Sequence, residues 1–374
     1  MFRVLRYINV DKSQKSIGVL KMELLKKTIN QILPVKNEFK IKTQERLDAL
    51  TKPLGSLGML EEVAKDVLAI TENEEYQIKK KVIFVLAGDH GVVKESVTGY
   101  PQEVTPQMVY NFVRGGAAIN VLARHVDAKV VVVDMGVAAD LNEASGRIIN
   151  KKINYGTKNF AEDHAMSKDE AIRSIEAGIE VFEQEAKNGI DIVGCGDMGI
   201  GNTTTSSAIV AALTGAPVEQ VTGRGTGIDD EMLAHKIDVI KKALAKHNPD
   251  ITDPIDVLSK VGGFEIGGIA GVILAAASHK IPILLDGFIS SAGALIAYKL
   301  QPNVKDYFIA SHVSIERGHQ IILETFNKRP LLNLDLRLGE GTGAALAMPL
   351  VEASMKILNE MATFADAGVS ERTN

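Results

Sequence analysis

The stretch that decides the fold is residues 194–207, GCGDMGIGNTTTSS. An apolar segment precedes it (residues 190–193) and a helix-like segment follows it (residues 208–213), so the sequence predicts a strand, a glycine-rich turn and a helix. Glycines let backbone N–H groups approach a ligand closely, and the first turn of a helix adds unpaired donors and a positive dipole. This pattern favours a phosphate-binding site. The alternative is a tight strand-to-helix turn in which Ser or Thr caps the helix.

The same pattern of an apolar run followed by polar residues recurs along the chain. Buried strands are predicted at residues 82–86, 130–133, 282–285 and 307–310, and GDHG, DMG, DGF and SH follow them in that order. Helical patterns of crossover length separate the strands. The fold class is therefore predicted as α/β, a doubly wound and mostly parallel sheet with helices on both faces, whose strand ends share one ligand-binding edge.

Three segments are predicted along the chain. Residues 1–21 form an extension of undetermined order, residues 22–77 form a smaller helical part without a strand pattern, and residues 78–374 form the α/β catalytic domain including the C-terminal helix. Ser56 and Thr105 are the predicted caps of two helices, the second starting at Pro106.

Composition excludes several classes of function. The net charge is −5 and no basic run occurs, which argues against a nucleic-acid surface. No apolar stretch is long enough for a membrane span. A single cysteine, Cys195, excludes an internal disulfide framework and suits a reducing cytoplasm. It is expected to fill a tight turn as a small side chain rather than to act as a nucleophile.

Metal and cofactor sites are not expected. The eight histidines are scattered and form no HxxxH or Cys/His cluster. Phosphoribosyltransferases that use a diphosphate donor carry two adjacent acids after an apolar strand, whereas here only Asp134 follows residues 130–133. We therefore predict no metal-binding residues.

The sequence predicts groups that donate hydrogen bonds to a bound anion, and a general base. The donors are the 199–203 turn, the 223–227 glycine loop with Lys236, and residues 311–314. Glu340 lies within LGEGTG, where glycines expose its side chain. A carboxylate at a helix N-terminus stabilises the helix by about 0.3–1 kcal/mol. The glycines on both sides of Glu340 favour instead a general base on a loop.

Six long segments carry a family resemblance. They are GDHGVVKESVTGYPQEVTPQMV, GCGDMGIGNTTTSSAIVAALTG, GRGTGIDDEMLAHK, DVLSKVGGFEIGGIAGVILAAA, IPILLDGFISSAGAL and RLGEGTGAALAMPLVEA. From about Lys52 to the C-terminus the chain resembles the nicotinate-nucleotide–dimethylbenzimidazole phosphoribosyltransferases. The resemblance implies a cytoplasmic homodimer that transfers phosphoribose from nicotinate mononucleotide to a benzimidazole in cobalamin lower-ligand assembly. It implies α-ribazole phosphate and nicotinate as products, and no cofactor, nucleic acid or membrane partner.

The resemblance also implies roles for individual residues. Glu340 is the base that accepts the benzimidazole proton. The phosphoribosyl group is bound by Asp197, Gly199, Asn202, Gly225, Lys236 and Ser314, and the acceptor base by Tyr100, Met108 and Leu338. Asp197 replaces the Glu of better-known members, Tyr100 a small polar residue and Met108 an amide. The acceptor could therefore be a different lower-ligand base, or a phenol.

Two other functions remain open from the residues. An NAD-dependent oxidoreductase would use Gly194, Gly196 and Gly199, and would need an acid about 20 residues later at the end of a second strand. Glu219 is the acid in that region, without a clear strand before it. A nucleotide sensor without catalysis would not require Glu340.

Overall fold

The computed structural model describes residues 22–225 and 227–370. The predicted extension at residues 1–21 lies outside the described residues. Among the helices of the two described ranges, none is both long enough and apolar enough to span a bilayer.

Six parallel strands form one sheet in the order β3-β2-β1-β4-β5-β6. The strands are β1 (Lys81–Gly88), β2 (Ala128–Gly136), β3 (Ile149–Asn150), β4 (Ile192–Met198), β5 (Ile283–Leu285) and β6 (Phe308–Ala310). The α/β prediction is confirmed. Strand β4 is longer than predicted, because it continues through the first two glycines of residues 194–207 and the turn begins at Gly199.

Helices connect the strands and flank both faces of the sheet. They are α1 (Glu23–Gln31), α2 (Asn37–Ala49), α3 (Met59–Thr71), α4 (Val104–Arg114), α5 (Ala118–His125), α6 (Lys168–Ala186), α7 (Asn202–Thr214), α8 (Val218–Val221), α9 (Asp230–His247), α10 (Pro254–Val261), α11 (Phe264–Ser278), α12 (Phe288–Leu300), α13 (Arg317–Phe326), α14 (Thr342–Glu360) and α15 (Phe364–Ala367).

The sheet separates two hydrophobic layers, which explains the continuous apolar run of β1. Side chains alternate along a strand, so Val82, Phe84 and Leu86 belong to one layer, and Ile83 and Val85 to the other. Helices α6 and α11 supply much of the first layer, and α3 and α14 much of the second. Both faces of the strand are thus removed from water.

The N-terminal helices are part of these layers. Leu25 of α1 packs in the first layer, whereas Val63 and Val67 of α3 pack in the second. Residues 22–77 contain helices α1, α2 and α3, irregular segments, and an isolated antiparallel bridge from Leu50 to Thr363. The boundary between residues 77 and 78 as a division between two units stays a prediction.

The two predicted helix caps are wrong. Helix α3 begins at Met59 after Gly58, not directly after Ser56, because residues 54–58 form turns. Helix α4 begins at Val104, so Thr105 is inside its first turn. The Thr105 hydroxyl instead accepts a hydrogen bond from the backbone N–H of Ile200 at 3.1 Å. The side chain thus bonds to the turn after β4 and does not cap its own helix.

The strand order decides where a ligand can bind. Chain connections run from β1 outward to β2 and β3, and then return to β4 on the other side of β1. In open α/β sheets, ligands bind beyond the carboxyl ends of the strands where the order reverses. Here that point lies between β1 and β4, next to residues 197–202.

Candidate active site

A cavity of about 390 Å³ lies at this edge of the sheet, within the usual size range of small-molecule sites. It is lined by Tyr100, Val104, Met108, Asp197, Met198, Gly199, Ile200, Asn202, Thr203, Gly225, Gly287, Phe288, Ile289, His312, Ser314, Glu316, Arg337, Leu338, Gly339 and Glu340. These residues come from segments that follow β1, β4, β5 and β6, the last including the loop before α14, so the sheet edge gathers groups that are distant in sequence.

The turn after β4 is built from glycine backbone. Gly201 has φ of +95°, a conformation that residues with a side chain rarely adopt, and it precedes helix α7 in place of the predicted Ser or Thr cap. A Cβ at Gly199 would lie 2.1 Å from the carbonyl oxygen of Gly88, so glycine is required there for packing. The tight turn is therefore present, and phosphate binding by it stays a prediction.

Asp197, at the end of β4, is only 5% exposed. Its Oδ2 accepts a hydrogen bond from the amide of Asn202 at 2.9 Å, and its Oδ1 has no partner among the described residues. Burial raises the pKa of Asp197 well above the ordinary 3.8, and the charges of Asp286, Glu265 and Glu340 raise this pKa further. Both effects favour the neutral form of this carboxyl, which could donate a hydrogen bond as well as accept one.

Glu340 lies in a glycine loop that holds it in a left-handed conformation. Its φ is 62°, and the flanking Gly339 and Gly341 have φ of 83° and 89°. The expectation of an exposed side chain is wrong: Glu340 is 5% exposed, because the loop folds inward onto β4. Oε2 accepts a hydrogen bond from the backbone N–H of Ile119 at 3.3 Å.

Burial raises the pKa of Glu340 above the ordinary 4.5, and the charge of Asp286 raises it further, against the lowering effect of the Ile119 N–H. A carboxylate with a raised pKa is a stronger base than one in water, and a base is most effective when its pKa approaches the working pH. This environment suits the predicted general base, and that role stays a prediction.

Two contacts position the loop that carries Glu340. A Cβ at Gly196 of β4 would lie 2.2 Å from the carbonyl group of Glu340, so the loop backbone rests directly on the strand. Asp286, which follows β5, accepts hydrogen bonds from three backbone N–H groups around the start of α14, at 3.1, 2.6 and 3.0 Å. An acceptor at this helix N-terminus satisfies donors that would otherwise be unpaired.

Lys236 lies at a corner of the cavity and is buried, with 1% exposure. Its ammonium donates to Thr203 Oγ1 at 2.9 Å and to the carbonyl of Gly223 at 3.4 Å. A Cβ at Gly225 would lie 3.5 Å from Nζ, which places that loop beside the charge. Burial lowers the pKa of Lys236 to about 8, while the charge of Glu316 opposes the change. The predicted loop 223–227 and Lys236 thus meet, although Thr226 itself lies outside the described residues.

Ser314 is close to the same corner. It is 7% exposed and lines the cavity. Its backbone N–H donates to Nδ1 of His319 at 2.9 Å, and its hydroxyl accepts from the N–H of Glu316 at 3.3 Å. Burial lowers the pKa of His319 to about 3, which keeps the imidazole neutral and able to accept this bond. These hydrogen bonds fix the backbone of residues 314–316, and Ser314 and Glu316 line the cavity.

The predicted acceptor residues lie around the opening. Tyr100 and Leu338 are 52% and 56% exposed, and Met108 lies on α4. Together with Val104 they give this part of the cavity an apolar wall. A flat aromatic molecule would cover these side chains and remove them from water.

Nine of the ten predicted site residues line the cavity, and Lys236, the tenth, contacts it through Thr203. Their roles stay predictions. Sequence reasoning missed Asp286, Glu316 and Arg337. The first follows a strand in DGF, a signal that was available. Arg337, which donates to the Gly225 carbonyl at 3.4 Å, and Glu316 show no motif.

Other expected features can be placed as well. Cys195 is buried within β4 rather than in a turn, and burial raises the pKa of its thiol. Glu219, the acid considered for an NAD site, lies on α8 and pairs with Lys241, away from any strand end. In residues 22–225 and 227–370, no group of three or more His, Cys, Asp or Glu is arranged to hold a metal ion.

A buried contact between His90 and Glu265 supports the turn. His90 Nε2 lies 2.7 Å from Oε1 of Glu265, and Nδ1 lies 3.0 Å from the hydroxyl of Thr205. His90 and Glu265 are both 0% exposed. A Cβ at Gly199 would lie 3.3 Å from this imidazole, so the pair fixes the floor under the turn.

Comparison with known proteins agrees with this geometry. A family model described as phosphoribosyltransferase matches residues 32–369. The nicotinate-nucleotide–dimethylbenzimidazole phosphoribosyltransferase of Geobacter sulfurreducens is 55% identical over 350 residues, covering 94% of this chain and 99% of the relative. That of Desulforudis audaxviator is 56% identical over 353 residues, covering 94% and 100%.

A solved structure is similar too. The crystal structure of CobT from Thermus thermophilus has a TM-score of 0.86 and 46% identity, covering 90% of this chain and 100% of that one. Sequence identity of this extent over nearly the full length of both chains, together with the shared fold, leaves one assignment. The chain belongs to the nicotinate-nucleotide–dimethylbenzimidazole phosphoribosyltransferase family.

Proposed function

We propose that this protein transfers the phosphoribosyl group of nicotinate mononucleotide to 5,6-dimethylbenzimidazole, giving α-ribazole 5'-phosphate and nicotinate in cobalamin biosynthesis. The observation that carries the proposal is that one cavity is lined by the buried carboxylate of Glu340 and reaches the buried ammonium of Lys236 through Thr203. A base and a phosphate-binding corner are the two groups that this transfer needs.

The 5'-phosphate of the donor binds at the corner formed by Lys236, Thr203, Gly225 and Ser314. Charge-assisted hydrogen bonds from an ammonium to a phosphate are among the stronger ones, and burial protects them from screening by salt. A monophosphate donor has no diphosphate to neutralise, so two positions for carboxylate-bound metal are not required. Asp197 and Asn202 lie beside this corner and hold the ribose.

The transfer itself needs little acid catalysis. A ring nitrogen of the benzimidazole attacks C1' of the ribose from the face opposite the nicotinate, and the β-linked donor becomes an α-linked product. The bond from C1' to the pyridinium nitrogen breaks, and its electron pair stays on that nitrogen, so nicotinate leaves with a neutral ring. The proton on the second benzimidazole nitrogen passes to Glu340, whose raised pKa suits the task.

The acceptor binds between Tyr100, Met108 and Leu338. The wall is apolar and open at one side, which suits a flat bicyclic ring. These residues also fit a related lower-ligand base or a phenol as acceptor. Assay of the purified protein with nicotinate mononucleotide and a panel of benzimidazoles, adenine and phenols will rank the acceptors.

The test of the proposal is Glu340→Gln. Glutamine is nearly isosteric and can still accept the Ile119 hydrogen bond, but it cannot accept a proton at neutral pH. Loss of a general base typically costs about 10²–10⁴-fold in rate, so we expect kcat to fall by that factor while donor affinity stays within about threefold. Rates are measured by chromatography of α-ribazole 5'-phosphate, with Glu324→Gln on the exposed side of α13 as the control. Turnover close to that of the wild type in folded Glu340→Gln protein would rule out this base.

We also propose that the protein is a homodimer and acts in the cytoplasm. Both parts rest on the family resemblance, and the buried thiol of Cys195 is consistent with a reducing compartment. Analytical ultracentrifugation at micromolar concentration tests the first part. A single species at the 40.3 kDa mass of one chain would contradict it.

A further inference from the structure

The cavity contains a carboxylate that the proposed mechanism does not use. Glu316, the residue before α13, is 7% exposed and lines the cavity beside the phosphate-binding corner. Its Oε2 is fully buried and has no hydrogen-bond partner among the described residues. A buried carboxylate oxygen without a donor is costly, since it has lost its water and gained nothing in exchange.

The surrounding backbone makes room for this carboxylate. A Cβ at Gly223 would lie 2.0 Å from Oε2 of Glu316, so any side chain at position 223 would displace the group. Ser314 fixes the start of the segment from the other side, because its hydroxyl accepts the backbone N–H of Glu316. The carboxylate is therefore held in place by its neighbours and is not a mobile surface group.

The nearby cation does not satisfy Glu316. The Lys236 ammonium directs its donors to Thr203 and to the carbonyl of Gly223, and Glu316 affects Lys236 only through its charge. A ligand in the cavity that carries hydrogen-bond donors would satisfy this oxygen. A phosphate at neutral pH offers acceptors only, whereas the hydroxyl groups of a ribose next to that phosphate are donors.

We infer that Glu316 accepts a hydrogen bond from a ribose hydroxyl of the donor nucleotide and thereby selects ribonucleotides over deoxyribonucleotides. The inference rests on the proposed function, because it takes the corner at Lys236 as the binding site of the 5'-phosphate. A site built to bond a substrate hydroxyl rejects the analogue that lacks it, since the buried polar group is then left unpaired. Glu316 is thus a specificity-determining residue in addition to the base.

The experiment measures binding without turnover. Isothermal calorimetry compares nicotinate mononucleotide with its 2'-deoxy and 3'-deoxy analogues, in the absence of an acceptor base. We expect the wild type to bind at least one deoxy analogue about 10- to 100-fold more weakly than the ribonucleotide, the range for a hydrogen bond to a charged group. In Glu316→Met, which has similar length and no carboxylate, this discrimination should fall below about threefold.

Two further variants separate recognition from charge. Glu316→Gln keeps a neutral acceptor and should discriminate to an intermediate degree, whereas Glu324→Gln on the exposed side of α13 should match the wild type. If Glu316 served only as a counter-charge, Glu316→Gln and Glu316→Met would change the affinity for inorganic phosphate equally and leave the deoxy discrimination at its wild-type value. That result would overturn the inference, as would a wild type that binds all three nucleotides equally.

Failure of the proposed function would be visible separately. A protein that binds nicotinate mononucleotide with a Glu316-dependent ribose preference but transfers nothing to any acceptor would refute the transfer and keep the inference. Ribose 5-phosphate and 2-deoxyribose 5-phosphate repeat the comparison without the nicotinate ring. Gly223→Ala should reduce the discrimination as Glu316→Met does, because the added methyl group displaces the carboxylate without changing its charge.

Discussion

Gly196→Ala tests whether the sheet positions the loop that carries Glu340, the proposed base. The added Cβ would lie 2.2 Å from the carbonyl carbon and oxygen of Glu340 and 2.4 Å from the nitrogen of Gly341. Both neighbours are backbone atoms, so no rotamer change can relieve the overlap. Real Cβ contacts essentially never fall below 3.0 Å, and the loop must therefore move away from β4.

The displacement sets the size of the effect. Moving the loop to an ordinary contact distance shifts Glu340 by about 1 Å, and a misplacement of that size can cost about 10²-fold in rate. Overpacking also destabilises the fold by about 1–3 kcal/mol. We expect kcat for α-ribazole 5'-phosphate formation to fall about 100-fold, while the affinity for nicotinate mononucleotide changes little, because Lys236 and Thr203 lie on other elements.

The control is Gly268→Ala in helix α11. Its Cβ would lie 2.5 Å from Leu86 Cδ2 and 2.7 Å from Met135 Cε, so it overpacks the core without contacting the Glu340 loop. Urea unfolding should show lower stability in both variants, but only Gly196→Ala should lose turnover. If Gly196→Ala keeps wild-type kcat, or if Gly268→Ala loses as much activity, the positioning argument fails.

Four other predictions concern the phosphate corner, the dependence of activity on pH, and the need for metal. Lys236→Ala should weaken binding of nicotinate mononucleotide about 10- to 100-fold and that of nicotinate riboside hardly at all, since only the nucleotide carries a phosphate; equal losses in calorimetry would place Lys236 outside the phosphate site. Because burial lowers the pKa of Lys236 to about 8, kcat/KM for the nucleotide should decline as pH rises through about 8, and Lys236→Ala should lack this limb. Because the pKa of Glu340 is raised above 4.5, kcat should fall as pH drops through that raised value, where Glu340 gains its proton; a kcat that stays level down to pH 4.5 would contradict this. Activity should persist in excess EDTA with metal-free buffers, and a loss that Mg²⁺ restores would return a diphosphate-type mechanism to consideration.

Much of the fold could be predicted because its signals are local. A run such as residues 82–86 is apolar at every position, and only a strand buried on both faces needs that pattern. Glycine-rich turns and polar residues after the strands then locate the ligand edge without knowledge of the strand order. Long motifs such as residues 194–207 added the identity of the family.

Cap positions and side-chain environments could not be predicted in this way. The residues next to Thr105 predicted that it caps a helix. In the structure its hydroxyl accepts a hydrogen bond from the N–H of Ile200, 95 positions away. Glu340 looked exposed between glycines, whereas those glycines let the loop fold onto Gly196 and bury the carboxylate. Glu316 showed no pattern, because its significance depends on the room beside Gly223.

The sequence by itself determined the α/β class, because hydrophobic periodicity and glycine-rich turns are properties of neighbouring residues. The predicted roles of Glu340, Lys236 and Ser314 followed from the resemblance of long motifs to a family. Only the tertiary structure decided the state of the charged groups, such as the raised pKa of Glu340 and the unpaired oxygen of Glu316. Burial and the proximity of other charges set those properties, and both arise from segments far apart in the chain that meet at one edge of the sheet.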